Sequence, residues 1–168
     1  YKSVGEPTEV ALRVLAEKIG LPGFDSMPSA LDQLGKAERV SFCTKYWEDH
    51  FLKVATLDFA HDRKMMSVLC RRKGQDVVFT KGAPEAVLDR CIYMLSNNDG
   101  KSVPMSQAAK AQITAKVRQY GKMALRCIAL ALKPAPQGKQ RLVVEDETDL
   151  TFLGIVGMID PPRSEVRG

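Results

Sequence analysis

The chain has 168 residues, of which 45% are hydrophobic and 27% charged, with a net charge of +5 from 25 basic and 20 acidic residues. These values suit one globular domain with a real core and exclude a disordered or low-complexity chain. The charge excess is mild and fits a phosphate-bearing small ligand as well as a nucleic acid, but no Lys/Arg stripe runs between aromatics.

Pro7 to Ile19 reads as a helix with Leu12, Leu15, Ala16 and Ile19 on one face, closed by Gly20 and Pro22. Residues 20–35 read as a loop. Lys36 to His50 reads as a second helix, with Val40, Cys43, Tyr46 and Trp47 at helical spacing. The period then changes. Phe51 to Phe59 reads as a strand, and Met65 to Cys70 with Val77 to Lys81 as a hairpin around Gly74. Pro84 to Cys91 is a short helix, and Asn97-Asn98-Asp99-Gly100 a turn between two extended pieces. Ser106 is an N-cap for a helix to Tyr120, closed by Gly121. Leu125 to Leu132 and Leu150 to Met158 read as strands, with a loop from Lys133 to Gly138. Tight turns between adjacent strands imply antiparallel pairing, so the expected fold is α+β: an α/β sandwich with a mainly antiparallel twisted sheet flanked by helices.

Cys43, Cys70, Cys91 and Cys127 form no CxxC pair, and with only two histidines the sequence argues against a zinc site. Such lone thiols in apolar runs read as small buried residues in a reducing compartment. The longest apolar stretch, Leu150 to Ile159, is far short of the ~20 residues that span a bilayer. The chain begins at Tyr1 and ends at Arg167-Gly168, and reads as a piece of something longer, whose membrane attachment stays open.

The chemical candidates are few. There is no GxSxG or HExxH, and Asp99-Gly100-Lys101-Ser102 imitates a phosphate loop but has Leu95 where its first glycine belongs. No nucleophile stands near paired carboxylates, so the sequence argues for binding rather than self-contained catalysis. Lys81-Gly82-Ala83-Pro84-Glu85 follows the apolar run Val77 to Thr80. Gly82 would let a ligand approach the backbone, Pro84 suits the first helical position, and the lysine could hold an anion; an ordinary strand-to-helix turn would look the same. Phe59-Ala60-His61-Asp62-Arg63-Lys64 places an aromatic at a strand end before charged residues, an arrangement that can stack a purine or serve as core followed by a turn. Thr8 or Glu6 could cap the first helix, and Glu9 could complement its dipole or accept from an adenine amine. Arg126 interrupts an apolar strand and must reach solvent or an anion. Asp160-Pro161-Pro162-Arg163 reads as a stiff hinge or linker.

In this order the segments resemble the nucleotide-binding domain of a P-type ATPase, most of all the sarco/endoplasmic-reticulum-type calcium pumps. The matching pieces are Gly5 to Glu9, Phe59 to Lys64, Met66-Ser67-Val68, Lys81 to Glu85, Leu125-Arg126-Cys127, Glu147 to Phe152 and Asp160 to Arg163, covering nearly the whole chain. The resemblance implies that Phe59 stacks on adenine and that Glu9 lies at the adenine edge with Thr8 nearby. Lys64 and Lys81 would line the pocket, Gly82 give close access, Met66 and Cys127 add wall, and Arg126 meet the phosphates. Those phosphates would point away from the Pro84 helix start, towards Arg126 and the hinge. Residues 1–159 would form the nucleotide-binding domain and 160–168 the hinge to a phosphorylation domain, with Asp160 and Arg163 near the phosphate end. The calcium pumps typically carry arginine at His61, and a histidine is mostly neutral at pH 7 and reaches less far. Many relatives also have serine at Met65. The DKTGT phosphorylation motif, the TGD magnesium motif and membrane helices are not in this chain. The chain is therefore expected to bind ATP without hydrolysing it, and to hold no catalytic or metal-ligating residue. It would act within a parent pump with phosphorylation and actuator domains and Mg2+, at the cytosolic face of an endoplasmic-reticulum or related membrane. A nucleotide-sensing or protein-interaction domain without catalysis is the alternative.

Overall fold

The computed structural model describes residues 7–22, 34–96 and 100–159. The chain divides into two compact units between Leu52 and Lys53.

In the first unit, helix α1 spans Pro7–Ile19, with Glu9 in its first turn and Lys18 in its last. It ends where Gly20 turns to φ 76°, its N–H still donating to the Ala16 carbonyl. Ile19, expected on the apolar face, is 74% exposed at the helix end. The single helix expected from Lys36 to His50 is two: α2 (Lys36–Arg39) and α3 (Phe42–His50). The break has a partner. Glu17, on α1, accepts from the N–H groups of Cys43 (3.0 Å) and Thr44 (2.8 Å) and from the Thr44 hydroxyl (2.7 Å), so a distant carboxylate satisfies donors that a new helix start leaves free. Burial raises the Glu17 pKa, but these Thr44 and Cys43 bonds outweigh it and hold the carboxyl below its usual value.

The second unit is a seven-stranded sheet in the order β1-β2-β3-β6-β7-β4-β5. Its strands are β1 (Leu52–Ala60), β2 (Met65–Arg72), β3 (Gln75–Gly82), β4 (Cys91–Leu95), β5 (Ser102–Pro104), β6 (Leu125–Ala135) and β7 (Leu150–Ile159). Helix α4 (Pro84–Arg90) follows β3, and α5 (Gln107–Lys122) precedes β6. The sheet is mostly antiparallel and the fold is α+β, as the sequence led us to expect.

The β2–β3 hairpin closes through Lys73 (φ 35°) and Gly74 (φ 82°), two consecutive left-handed residues that match the strand twist. Asp76 stabilises this end. Its carboxylate accepts two bonds at 2.9 Å from Arg71 and one from the Gly138 N–H.

Three expectations change. β4 pairs parallel with β7, Cys91 opposite Leu150, because α5 and β6 carry the chain across the sheet between them. β6 continues through Pro134, which the sequence placed in a loop. Beyond Leu132, β6 has no further pairing with β7 and only β3 lies beside it, and a strand with one neighbour tolerates a residue that cannot donate. α5 is capped by the Ser106 hydroxyl accepting from Ala109 N–H at 3.0 Å, as expected, but runs through Gly121 to Lys122.

The core lies under α4. Val87 and Leu88 of that helix pack with Met65, Cys91, Ala129, Ala131, Leu150 and Phe152. The position of Met65 is therefore structural: at 1% exposure it fills the core where β2 begins.

Candidate functional site

At one end of the sheet β2 begins, β3 ends and β6 begins. Met66 stands opposite Lys81, Lys81 opposite Leu130, and Gly82 opposite Ala129. Paired residues share a face and neighbours alternate. Met65, Ser67, Thr80, Ala129 and Ala131 thus face the helix side, where all five are buried. Met66, Lys81 and Leu130 face the other side. Continuing along β6, Arg126 shares their face, exposed at the strand start.

Cys127 does not. It alternates with Arg126 onto the side of Ala129, opposite Gly157. A Cβ at Gly157 would lie 3.3 Å from Leu125 and 3.8 Å from Tyr120 of α5, so α5 covers that side. The structure therefore brings Met66, Lys81 and Arg126 to one face and turns the Cys127 thiol, half-buried and raised in pKa by that burial, to the other.

Phe59 sits one residue before the end of β1, the strand beside β2. Phe59 is 54% exposed, and the His61 ring meets its ring edge-on at 5.5 Å between centroids. Lys64 takes φ 54° just before β2, and its ammonium lies 3.3 Å from the Glu85 carboxylate, both groups well exposed. Lys64 thus already has a partner of opposite charge.

Gly82 is explained first by its own neighbours. A Cβ there would lie 2.5 Å from the Lys64 carbonyl oxygen and 2.6 Å from Met65 Cβ. The backbone that approaches Gly82 closely is the start of β2. The Ala83 N–H donates to that same Lys64 oxygen at 2.9 Å, and Glu85 occupies the first turn of α4. The start of α4 is thus a docking point for the chain itself.

Thr8 (half-buried) and Glu9 (exposed) lie in the first turn of α1, in the other compact unit. Asp160 and Arg163 lie outside the described residues. A groove in the first unit is lined by Leu34, Phe42 and Tyr46 with Glu38, Lys45 and Asp49. Carboxylates outnumber cations in that lining, which does not suit a phosphate ligand.

A family model described as P-type ATPase, cytoplasmic domain N, matches residues 1–165. The chain belongs to this family. It is 57% identical over 167 residues to the Calcium-transporting ATPase 3, endoplasmic reticulum-type, of Arabidopsis thaliana, a match covering 99% of this chain and 17% of that protein. This N domain therefore spans about a sixth of its relative's length. Among the described residues no helix is long and apolar enough to cross a membrane, and no group of three or more His, Cys, Asp or Glu side chains could hold a metal ion.

The N domain also holds a buried polar network that the sequence did not reveal. Glu147, in a 3-10 turn over Val144–Glu147, is fully buried. Its carboxylate pairs with the Arg63 guanidinium and accepts from the Ser67 hydroxyl at 2.8 Å. Ser67 is bonded to Thr80 at 2.8 Å across β2 and β3. Arg63 also donates to the Asp58 carbonyl at 2.6 Å, and Arg90 to the Glu147 carbonyl at 3.2 Å. Only contact order hides it: Arg63 and Glu147 are 84 positions apart.

Proposed function

We propose that this chain is the ATP-binding domain of a cation-transporting, calcium-type pump, and that it presents the γ-phosphate to an aspartate on a separate domain. What supports the reading is one sheet end: Met66, Lys81 and Arg126 share a face of β2, β3 and β6, and β1, which carries the exposed Phe59, is the strand next to β2. The ring supplies a stacking platform for a base, and the cations give a direction for the phosphates, away from α4 and Glu85 and towards Arg126. Lys64, bonded to Glu85, acts at the rim. Gly82 and Cys127 support the pocket through the backbone and the packing behind it. Residues 160–168 form the hinge, with Asp160 and Arg163 at the phosphate end.

The side chains gathered here are cationic, aromatic or apolar, and cations do not ligate Mg2+. The metal would be held by the phosphates and by the phosphorylation domain of the parent, which also supplies the nucleophile. The N domain binds and orients ATP, and domain movement about residues 160–163 carries it to the aspartate. The name of the Arabidopsis relative, an endoplasmic reticulum-type calcium-transporting ATPase, supports an ATPase parent in such a membrane, and the family description, cytoplasmic domain N, supports the cytosolic side; an actuator domain in that parent is part of the same proposal.

Alanine at Phe59 tests the assignment. ATP affinity should fall by the ~1–3 kcal/mol of one base stacked on an aromatic side chain. An unchanged titration would remove Phe59 from the site and leave the face of Met66, Lys81 and Arg126 without a stacking platform.

A further inference from the structure

We propose that Glu147 is a positioning residue for the nucleotide site, holding the end of β1 that carries Phe59 in place through Arg63. The proposal rests on the ATP-binding reading above. The carboxylate is on the helix side of the sheet, bonded to Ser67, while Met66 and Lys81 project from the opposite side, so it works from behind the proposed pocket.

The geometry forms one connected path. The Arg63 guanidinium is forked, one nitrogen on Glu147 and the other on the carbonyl of Asp58, the residue immediately before Phe59. A planar donor fixed at two points cannot rotate without breaking a bond. The peptide that follows Asp58 is thus tied to a fully buried carboxylate, and Phe59 leaves the strand at a set angle. The turn that follows β1 is closed from its other end as well. Lys64 N–H donates to the Ala60 carbonyl at 2.7 Å, and the Arg63 N–H to the Asp62 carboxylate at 2.8 Å. On the far side, Glu147 is anchored to two central strands through Ser67 and Thr80, and its own carbonyl to α4 through Arg90.

A buried ion pair gives little net stability compared with apolar packing, because both charges lose water. Its advantage is orientation, and here the oriented element is the strand end that carries the exposed Phe59 ring. Glu147 and Arg63 are 0% and 10% exposed, so neither reaches a ligand directly.

The test compares ATP affinity, by NMR titration of the 168-residue chain, for Glu147→Gln in the unmutated and Phe59→Ala backgrounds. Glutamine keeps the shape and loses the charge. Affinity should fall about tenfold in the first background, the scale of a lost charged hydrogen bond, and change less than twofold in the second, where the ring it positions is gone. An equal loss in both backgrounds, or none in the first, overturns the proposal. If Glu147→Gln does not fold, Arg63→Lys takes its place, since a lysine keeps the charge but cannot span Glu147 and Asp58 together; the same two outcomes decide. If the unmutated chain binds no ATP, the nucleotide reading fails separately. The ligand-free ring resonances of Phe59 and His61 then judge the latch: a shift in either variant supports it, and unchanged resonances overturn it.

Discussion

Replacing Gly82 by alanine separates two explanations for this glycine. One is that the bare backbone admits a ligand; the other is that it admits the start of β2. The added Cβ would stand 2.5 Å from the Lys64 carbonyl oxygen, 2.6 Å from Met65 Cβ and 2.8 Å from Met65 Cα. Two of those atoms are backbone, and Met65 is a core residue at 1% exposure, so relief requires β2 and β3 to part. Overpacking of this kind costs about 1–3 kcal/mol. Lengthening the 2.9 Å bond from Ala83 N–H to Lys64 adds about 0.5–1.5 kcal/mol. The combined loss of about 2–4 kcal/mol corresponds to a fall in Tm of roughly 5–15 °C for a domain of this size. Thermal unfolding of the ligand-free chain, followed by circular dichroism, reads it. A Tm within about 2 °C of the unmutated chain would refute the argument from close approach and leave ligand access as the reason for the glycine.

Phe59→Ala should have the opposite profile, because the ring is 54% exposed: nucleotide affinity should drop about 5- to 150-fold while Tm moves by less than about 2 °C. Asp76→Asn should flatten the acid limb of stability. The Arg71 guanidinium, opposed by burial and assisted by Gly138 N–H, holds the Asp76 carboxyl below its usual value. A depressed folded pKa means that the contribution is complete above the unfolded pKa of about 4 and is lost as pH falls through the folded one. The unmutated chain should therefore lose its advantage over Asp76→Asn below about pH 4, and a constant Tm difference down to pH 2 would contradict this. Thiol labelling of the native chain should reach Cys127 first, since Cys43, Cys70 and Cys91 are buried at 1%, 8% and 1% exposure and burial pushes Cys91 up to about 11. Rapid modification of Cys91 without unfolding would show that the core opens.

Most strands, and the helix starting at Ser106, are legible because their signals are local: alternation, a cap, a turn glycine. What is not legible there depends on partners distant in sequence. The break at Val40-Ser41 exists because Glu17, on another helix, satisfies the donors of a new helix start. Pro134 remains in a strand because β6 has lost its neighbour on one side, a fact of topology. At the proposed site, Phe59, Lys81 and Arg126 could be picked out as an aromatic and two cations at strand ends. Alternation alone could have warned that adjacent Arg126 and Cys127 cannot point the same way. Gly82 looked like room for a ligand because the sequence does not show that β2 begins against it. Arg63 and Glu147 lie 84 positions apart, and nothing in either local stretch of sequence shows that they meet in the interior.

The proposed adenine-nucleotide site lies at the end of β1, β2, β3 and β6. An ATP titration followed by backbone NMR tests it most directly. Shifts that saturate with a Kd on the order of 0.1–1 mM, concentrated at Phe59, Met66, Lys81 and Arg126, are the expected result. A titration to 10 mM ATP that leaves those resonances unmoved would contradict it.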